Sequence, residues 1–110
     1  MTQMNKNNII TRDHIGEVLM EFGILPNKQG FWHIIDAVMI CHNDKNCSFT
    51  TVLAKQTGKT KAAVERAISG SLKGLDFSDP KVAEFFGKAP HTNSGLIYML
   101  TWRLEIECKN

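Results

Sequence analysis

Residues 48–73 read SFTTVLAKQTGKTKAAVERAISGSLK, and this stretch decides the fold. Ser48 is a helix-capping residue type, and the spacing predicts a short helix over 49–56 closed by Thr57 and Gly58. Thr60 then opens a second helix that runs toward Lys73. Val64, Ala67, Ile68 and Leu72 recur at the period of one helix face and are expected to point inward. Gly58 supplies the positive φ that a tight turn between two helices demands. Ala54 is small enough for the second helix to cross closely, and Val64 can pack beneath the first. Gly70 inside the second helix costs about 1 kcal/mol against Ala, and Gly74 is placed to close it.

The same helical period continues on both sides. Upstream, Thr11 caps a first helix with Asp13 in its opening turn, and Ile15, Val18, Leu19 and Phe22 form its apolar stripe. Gly23 and Pro26 end it. A second helix is expected from about Lys28 to His42, burying Phe31, Ile34, Ile35, Val38 and Met39, with turn residues over 43–46. Downstream, Ser78 or Asp79 caps a helix that begins at Pro80 and stops before Gly87, with Ala83 and Phe86 facing the core. After Pro90, Thr92 opens a last helix through about Glu107, with Leu96, Ile97, Leu100 and Leu104 as its stripe. No run alternates apolar and polar residues as a strand would. The chain has 110 residues, 43% hydrophobic and 22% charged, which suits one globular domain. The expectation is an all-α, six-helix bundle over 9–110 behind a flexible tail at 1–8.

The 55–73 segment holds Lys55, Lys59, Lys61, Arg66 and Lys73 against Glu65 alone, a local charge of +4 in a chain of net +2. A basic island between slightly acidic flanks is the footprint of a polyanion-binding segment. The Ala54–Gly58–Val64 spacing, with Leu53 and Ala67 at two further core positions, resembles the helix-turn-helix, whose second helix enters the major groove of DNA. An ordinary αα-hairpin within a helical bundle is the alternative reading. In the first, Lys61, Ala62, Glu65, Arg66, Ser69 and Lys73 lie on the outer face of the second helix, and Thr60 opens it. Arg66 would fork onto a guanine edge, Lys61 would reach a base or phosphate, and Lys55 and Lys59 would meet the backbone. Glu65 would accept from cytosine, or pair with Lys61 one turn away.

Three stretches together resemble one family. They are Gly23-Ile-Leu-Pro26 with Gly30-Phe31, then Val64-Glu-Arg-Ala-Ile68, then Thr92-Asn-Ser94 leading to Arg103-Leu-Glu105. The family is the C-terminal DNA-binding (effector) domain of the stage-zero sporulation response regulator, and the resemblance covers about residues 9–107. It implies a six-helix bundle with a helix-turn-helix, sequence-specific binding to double-stranded DNA at promoters, tandem or dimeric copies on DNA, and contact with RNA polymerase. Glu65 and Arg66 keep the family identities. Where the family typically carries Arg immediately before and after this run, the chain has Ala63 and Ser69, and a commonly His position is Gly70. The glutamate that usually follows Thr-Asn-Ser is Gly95, and the segment near Cys47 is shorter. There is no room for a receiver domain, so phosphorylation is not expected to switch this chain as it does the family. The missing bases motivate a second expectation: a protein-interaction module that modulates the full-length regulator or RNA polymerase, with weak DNA binding or none.

Other chemistry is not expected. Cys41 and Cys47 are separated by five residues rather than the spacing of zinc ligands, and Cys41 and His42 point about 100° apart on a helix. Cys41 reads as a small buried hydrophobe; Trp32 and Trp102 read as core or partly core by default, with a protein contact surface as the alternative. His33 and Asp36 read as a local hydrogen bond. No glycine-rich phosphate loop, catalytic constellation, metal set or cofactor motif stands out. No apolar run approaches the roughly 20 residues of a membrane span. The polar start and the odd count of three cysteines fit free thiols and a cytoplasmic location.

Overall fold

The computed structural model describes residues 10–87 and 92–109. Among them are six helices and no strand: α1 (Arg12–Glu21), α2 (Gln29–Asn43), α3 (Phe49–Thr57), α4 (Lys61–Leu72), α5 (Pro80–Phe86) and α6 (Asn93–Lys109). The tail expected at 1–8 lies outside the described residues.

Each helix starts where a side chain can satisfy an orphan amide, with instructive exceptions. The Thr11 hydroxyl accepts from the His14 amide at 3.1 Å, and Thr60 accepts from Ala63 at 3.0 Å. Asp79 caps α5 by accepting from the Lys81 amide, while Ser78 turns back to Asp76 through both its amide and its hydroxyl. Ser48 occupies the cap position of α3, but its side chain makes no capping bond. The Thr51 hydroxyl donates to it instead, at 3.1 Å. Gly74 does not close α4 with a left-handed residue; positive φ occurs at Gly23, Gly58 and Gly87.

Helix α2 runs through the middle and packs against α1, α3, α4 and α6. Its inward residues Ile34, Ala37 and Val38 are fully enclosed. Around them close Ile15 and Leu19 of α1, Leu53 of α3, Val64 and Ile68 of α4, and Ile97, Leu100 and Leu104 of α6, all at 1% exposure or less. The α5 core face is Val82 and Phe86 rather than Ala83, which is half-buried. In two turns of helix a single residue of phase decides the face, and the larger side chain takes the buried one. Met39 and Ala67 are half-buried rather than enclosed.

Two helices approach closely at Gly30 of α2. A Cβ built there would stand 2.1 Å from the Ala67 carbonyl oxygen and 2.3 Å from Ser71 Oγ. The absence of a side chain lets α4 lie directly on the first turn of α2, which fixes where α4 emerges on the surface.

Candidate nucleic-acid interface

The α3–α4 connection is bonded residue by residue. Thr57 Oγ1 donates to the Leu53 carbonyl at 2.8 Å and accepts from the Lys59 amide at 3.3 Å. Gly58 sits at φ 74°, ψ 12°, and its amide returns to Ala54 at 3.0 Å. The Val64 amide donates to the Thr60 carbonyl at 3.1 Å, so α4 propagates directly from its cap. A left-handed glycine flanked by side-chain bonds makes this turn a fixed corner.

From that corner α4 presents two faces. Val64, Ile68, Ser71 and Leu72 are buried. Lys61, Ala62, Glu65 and Arg66 are exposed, as is Lys73 just past the helix, and Lys55 is exposed on α3. Lys59, Ala63 and Ser69 are half-buried; Ser69 lies between Glu65 and Arg66 around the helix, on the outward side, but is partly covered. The outward row is anchored from behind by α6, where Asn93 Nδ2 donates to the Glu65 carbonyl at 3.3 Å.

The electrostatics of this face are simple. Among the described residues, none of Lys55, Lys59, Lys61, Arg66 and Lys73 lies in an ion pair. Of the two readings of Glu65, the pair with Lys61 is therefore not formed. The carboxylates that do pair lie elsewhere. Asp36 holds Arg12 across α1 and α2, and Glu105 receives His42 Nδ1 at 2.8 Å together with Lys45. Burial alone would raise the Glu105 carboxyl; the hydrogen bonds from Lys45 and His42 override it and hold it below its ordinary range.

Beneath the turn, His33 of α2 is 4% exposed, and its Nε2 has no hydrogen-bond partner. Burial and then the nearby Lys59 charge push its pKa down, against an upward pull from Asp36. The local His33–Asp36 bond expected from spacing is absent because Asp36 turns to Arg12. Cys41 is buried as expected, and burial raises its thiol to about 11. No group of three or more metal-ligating side chains occurs among the described residues. No described helix is long and apolar enough to cross a membrane.

Two surface features escaped the periodicity argument. Trp32 and Trp102 are 48% and 54% exposed rather than core or partly core. Trp32 borders a groove between α1 and α2, and Trp102 borders a smaller depression with Cys41, Lys45 and Tyr98. The signal was present: both tryptophans lie out of phase with the apolar stripe of their helices. Comparison of the chain with protein-family models, with curated proteins and with solved structures gives no match.

Proposed function

We propose that the chain is a sequence-specific DNA-binding transcription regulator in which α3, the Gly58 corner and α4 act as a helix-turn-helix. The observation that carries this reading is the outward face of α4: Lys61 and Arg66 stand exposed beside Glu65, with Lys55, Lys59 and Lys73 around them and none of the five cations paired among the described residues. Unpaired cations on a convex, well-anchored helix are free to replace counterions along a phosphate backbone. A 12-residue helix is about 18 Å long, a length that fits the major groove. In this reading Arg66 contacts a guanine edge, Glu65 a cytosine amine, and Lys55, Lys59, Lys61 and Lys73 the phosphates. The resemblance to the sporulation effector domain supports it and brings with it tandem copies on DNA and contact with RNA polymerase; a cytoplasmic location, read from the cysteine count and polar start, is part of the same proposal. No catalytic role is part of the proposal.

A second reading has its own observation. Ala63 and Ser69 flank the exposed row without charge, and Gly70 adds no side chain. A face short of bases at these positions suits a module that modulates the full-length regulator or RNA polymerase through protein contacts. Electrophoretic shifts with sporulation-promoter DNA and with random duplex at two salt concentrations separate the two. Binding to promoter DNA that exceeds binding to random duplex supports the first. No binding at low salt by the wild type, with binding restored in Ala63→Arg/Ser69→Arg, gives the second reading first place.

A further inference from the structure

The α1–α2 groove holds about 350 Å³ and shares no lining residue with α4. Its floor is Gly16, Met20, Phe31 and Ile35, and Trp32 forms one wall. Gly16 lies in this floor, and a Cβ there would make ordinary contact with the Phe31 ring at 3.4 Å. Met20 and Trp32 are 45% and 48% exposed, an uncommon amount of large apolar surface beside one depression. The Trp32 indole Nε1 donates to the Pro26 carbonyl at 2.9 Å. Its polar edge is thus satisfied and its ring is held in place, which leaves a rigid aromatic anchor of the kind that dominates binding energy at interfaces. Met20 opposite is flexible and polarizable and adapts to a partner's shape.

The other wall carries charge. Asp13 and Glu17 line it, and Glu21 continues their four-residue spacing along α1 beyond the groove; all three are exposed. Among the described residues none of the three is in an ion pair. Arg12, the cation lining the groove, is neutralised by Asp36. The groove therefore combines an apolar floor, an aromatic wall and a negative rim. From Arg12 to Met20 its α1 side spans about 12 Å, or two helical turns. That length accommodates apolar anchors at i, i+3 or i+4, and i+7 of a docked helix.

We propose that this groove receives an amphipathic helix of a partner protein, with apolar residues facing Met20, Phe31 and Trp32 and Lys or Arg along the flank that meets Asp13 and Glu17. The acidic rim selects against nucleic acid and anionic lipid, and favours a basic flank by charge complementarity. The site is independent of DNA reading by α4, so the protein is able to hold a partner helix and a duplex on separate surfaces.

The test uses the full chain carrying Trp102→Phe, so that Trp32 alone reports by fluorescence. The probes are two synthetic 18-residue helical peptides with leucines at i, i+3, i+4 and i+7. One carries lysines along one flank and the other carries glutamates there. The expected result is a blue shift of Trp32 emission with the lysine peptide and binding at least about tenfold tighter than that of the glutamate peptide. In Asp13→Lys/Glu17→Lys, two exposed substitutions whose folding is checked by circular dichroism, the preference should invert. Equal binding of both peptides, binding of neither at about millimolar concentration, an unchanged preference in the double variant, or the same shift with phosphatidylcholine vesicles would each overturn the proposal. No DNA is present, so failure here leaves the DNA-reading test untouched.

Discussion

The α-carbon of Gly30 faces the carbonyl oxygen of Ala67 so closely that a methyl group on it would stand 2.1 Å from that oxygen. The obstacle is backbone, which cannot rotate aside as a side chain would. Gly30→Ala should therefore push α4 away from α2 and cost about 3 kcal/mol, the upper part of the usual range for overpacking. Urea denaturation checks it, and a loss below about 0.5 kcal/mol would show that the helix pair shifts freely.

Gly70 provides the opposite case on the same helix. A Cβ there meets nothing within 4 Å, and its φ is not positive. Gly70→Ala should raise stability by about 0.5–1 kcal/mol through the lost backbone freedom of glycine. A thermal melt with a raised midpoint is the expected outcome, and a lowered one contradicts it.

For DNA binding, the number of unpaired cations sets the salt response. With four to five phosphate contacts, log K should fall against log salt with a slope of about −4. Arg66→Ala should cost about 1–3 kcal/mol on the preferred site and less on random duplex. Lys59→Ala should weaken all sequences alike and flatten the slope by about 1. Fluorescence anisotropy across a salt series measures all three, and equal losses for the two variants on every sequence would remove Arg66 from base reading.

Two groups, buried His33 and half-buried Glu105, contribute to the acid response. The His33 pKa lies below its ordinary 6.5 in the folded chain, so the unfolded chain takes up the proton first. Stability from the neutral ring is complete above that value and is lost as pH falls from about 6.5 toward the folded pKa. Glu105 is likewise lowered from 4.5, so its contribution is lost at lower pH, below about 4.5. The urea midpoint should drop between about pH 7.5 and about pH 5.5, and His33→Gln should flatten that drop. An unchanged pH dependence in the variant would clear His33 of the effect.

Leu100 is 1% exposed at the centre of the last helix. Leu100→Ala should cost about 2–5 kcal/mol by leaving a cavity between α2 and α6. Calorimetry or urea titration gives the value, and a cost under about 1 kcal/mol would mean that the core collapses into the space.

The helices were legible in the sequence because their signals are local. Thr11, Thr60 and Asp79 cap from adjacent positions, and the Gly58 turn needs a residue that only glycine supplies cheaply. The errors have equally physical causes. Ser48 was expected to cap, but Thr51 lies within reach of its hydroxyl and takes part in a different bond. Ala83 was expected in the core because a seven-residue helix defines its inward face poorly. Asp36 was assigned to His33 by spacing, whereas its partner Arg12 lies 24 residues away. The cluster of His42, Lys45 and Glu105 joins residues about 60 apart and has no local signature at all. Of the candidate interface, the exposed row of α4 followed from periodicity; the half-burial of Ser69 and Lys59 depends on how α4 sits on α2 and α3. The α1–α2 groove is lined by residues of both helices and by a tryptophan pinned to Pro26, a combination that appears once two helices are placed side by side.

The central course of α2 has a consequence for how the chain may be divided. Because α1, α3, α4 and α6 all rest on it, a break in the 44–47 loop would leave α1 and α2 with Ile34, Val38 and Cys41 facing water, and the remainder with Ile68 and Leu100 uncovered. Each fragment would then lack the side chains that cover its own core residues and would carry those that cover the other's. The loop after α2 is thus the seam of the molecule: it divides the chain into two parts whose uncovered faces are complementary, although the cut falls between neighbours in sequence.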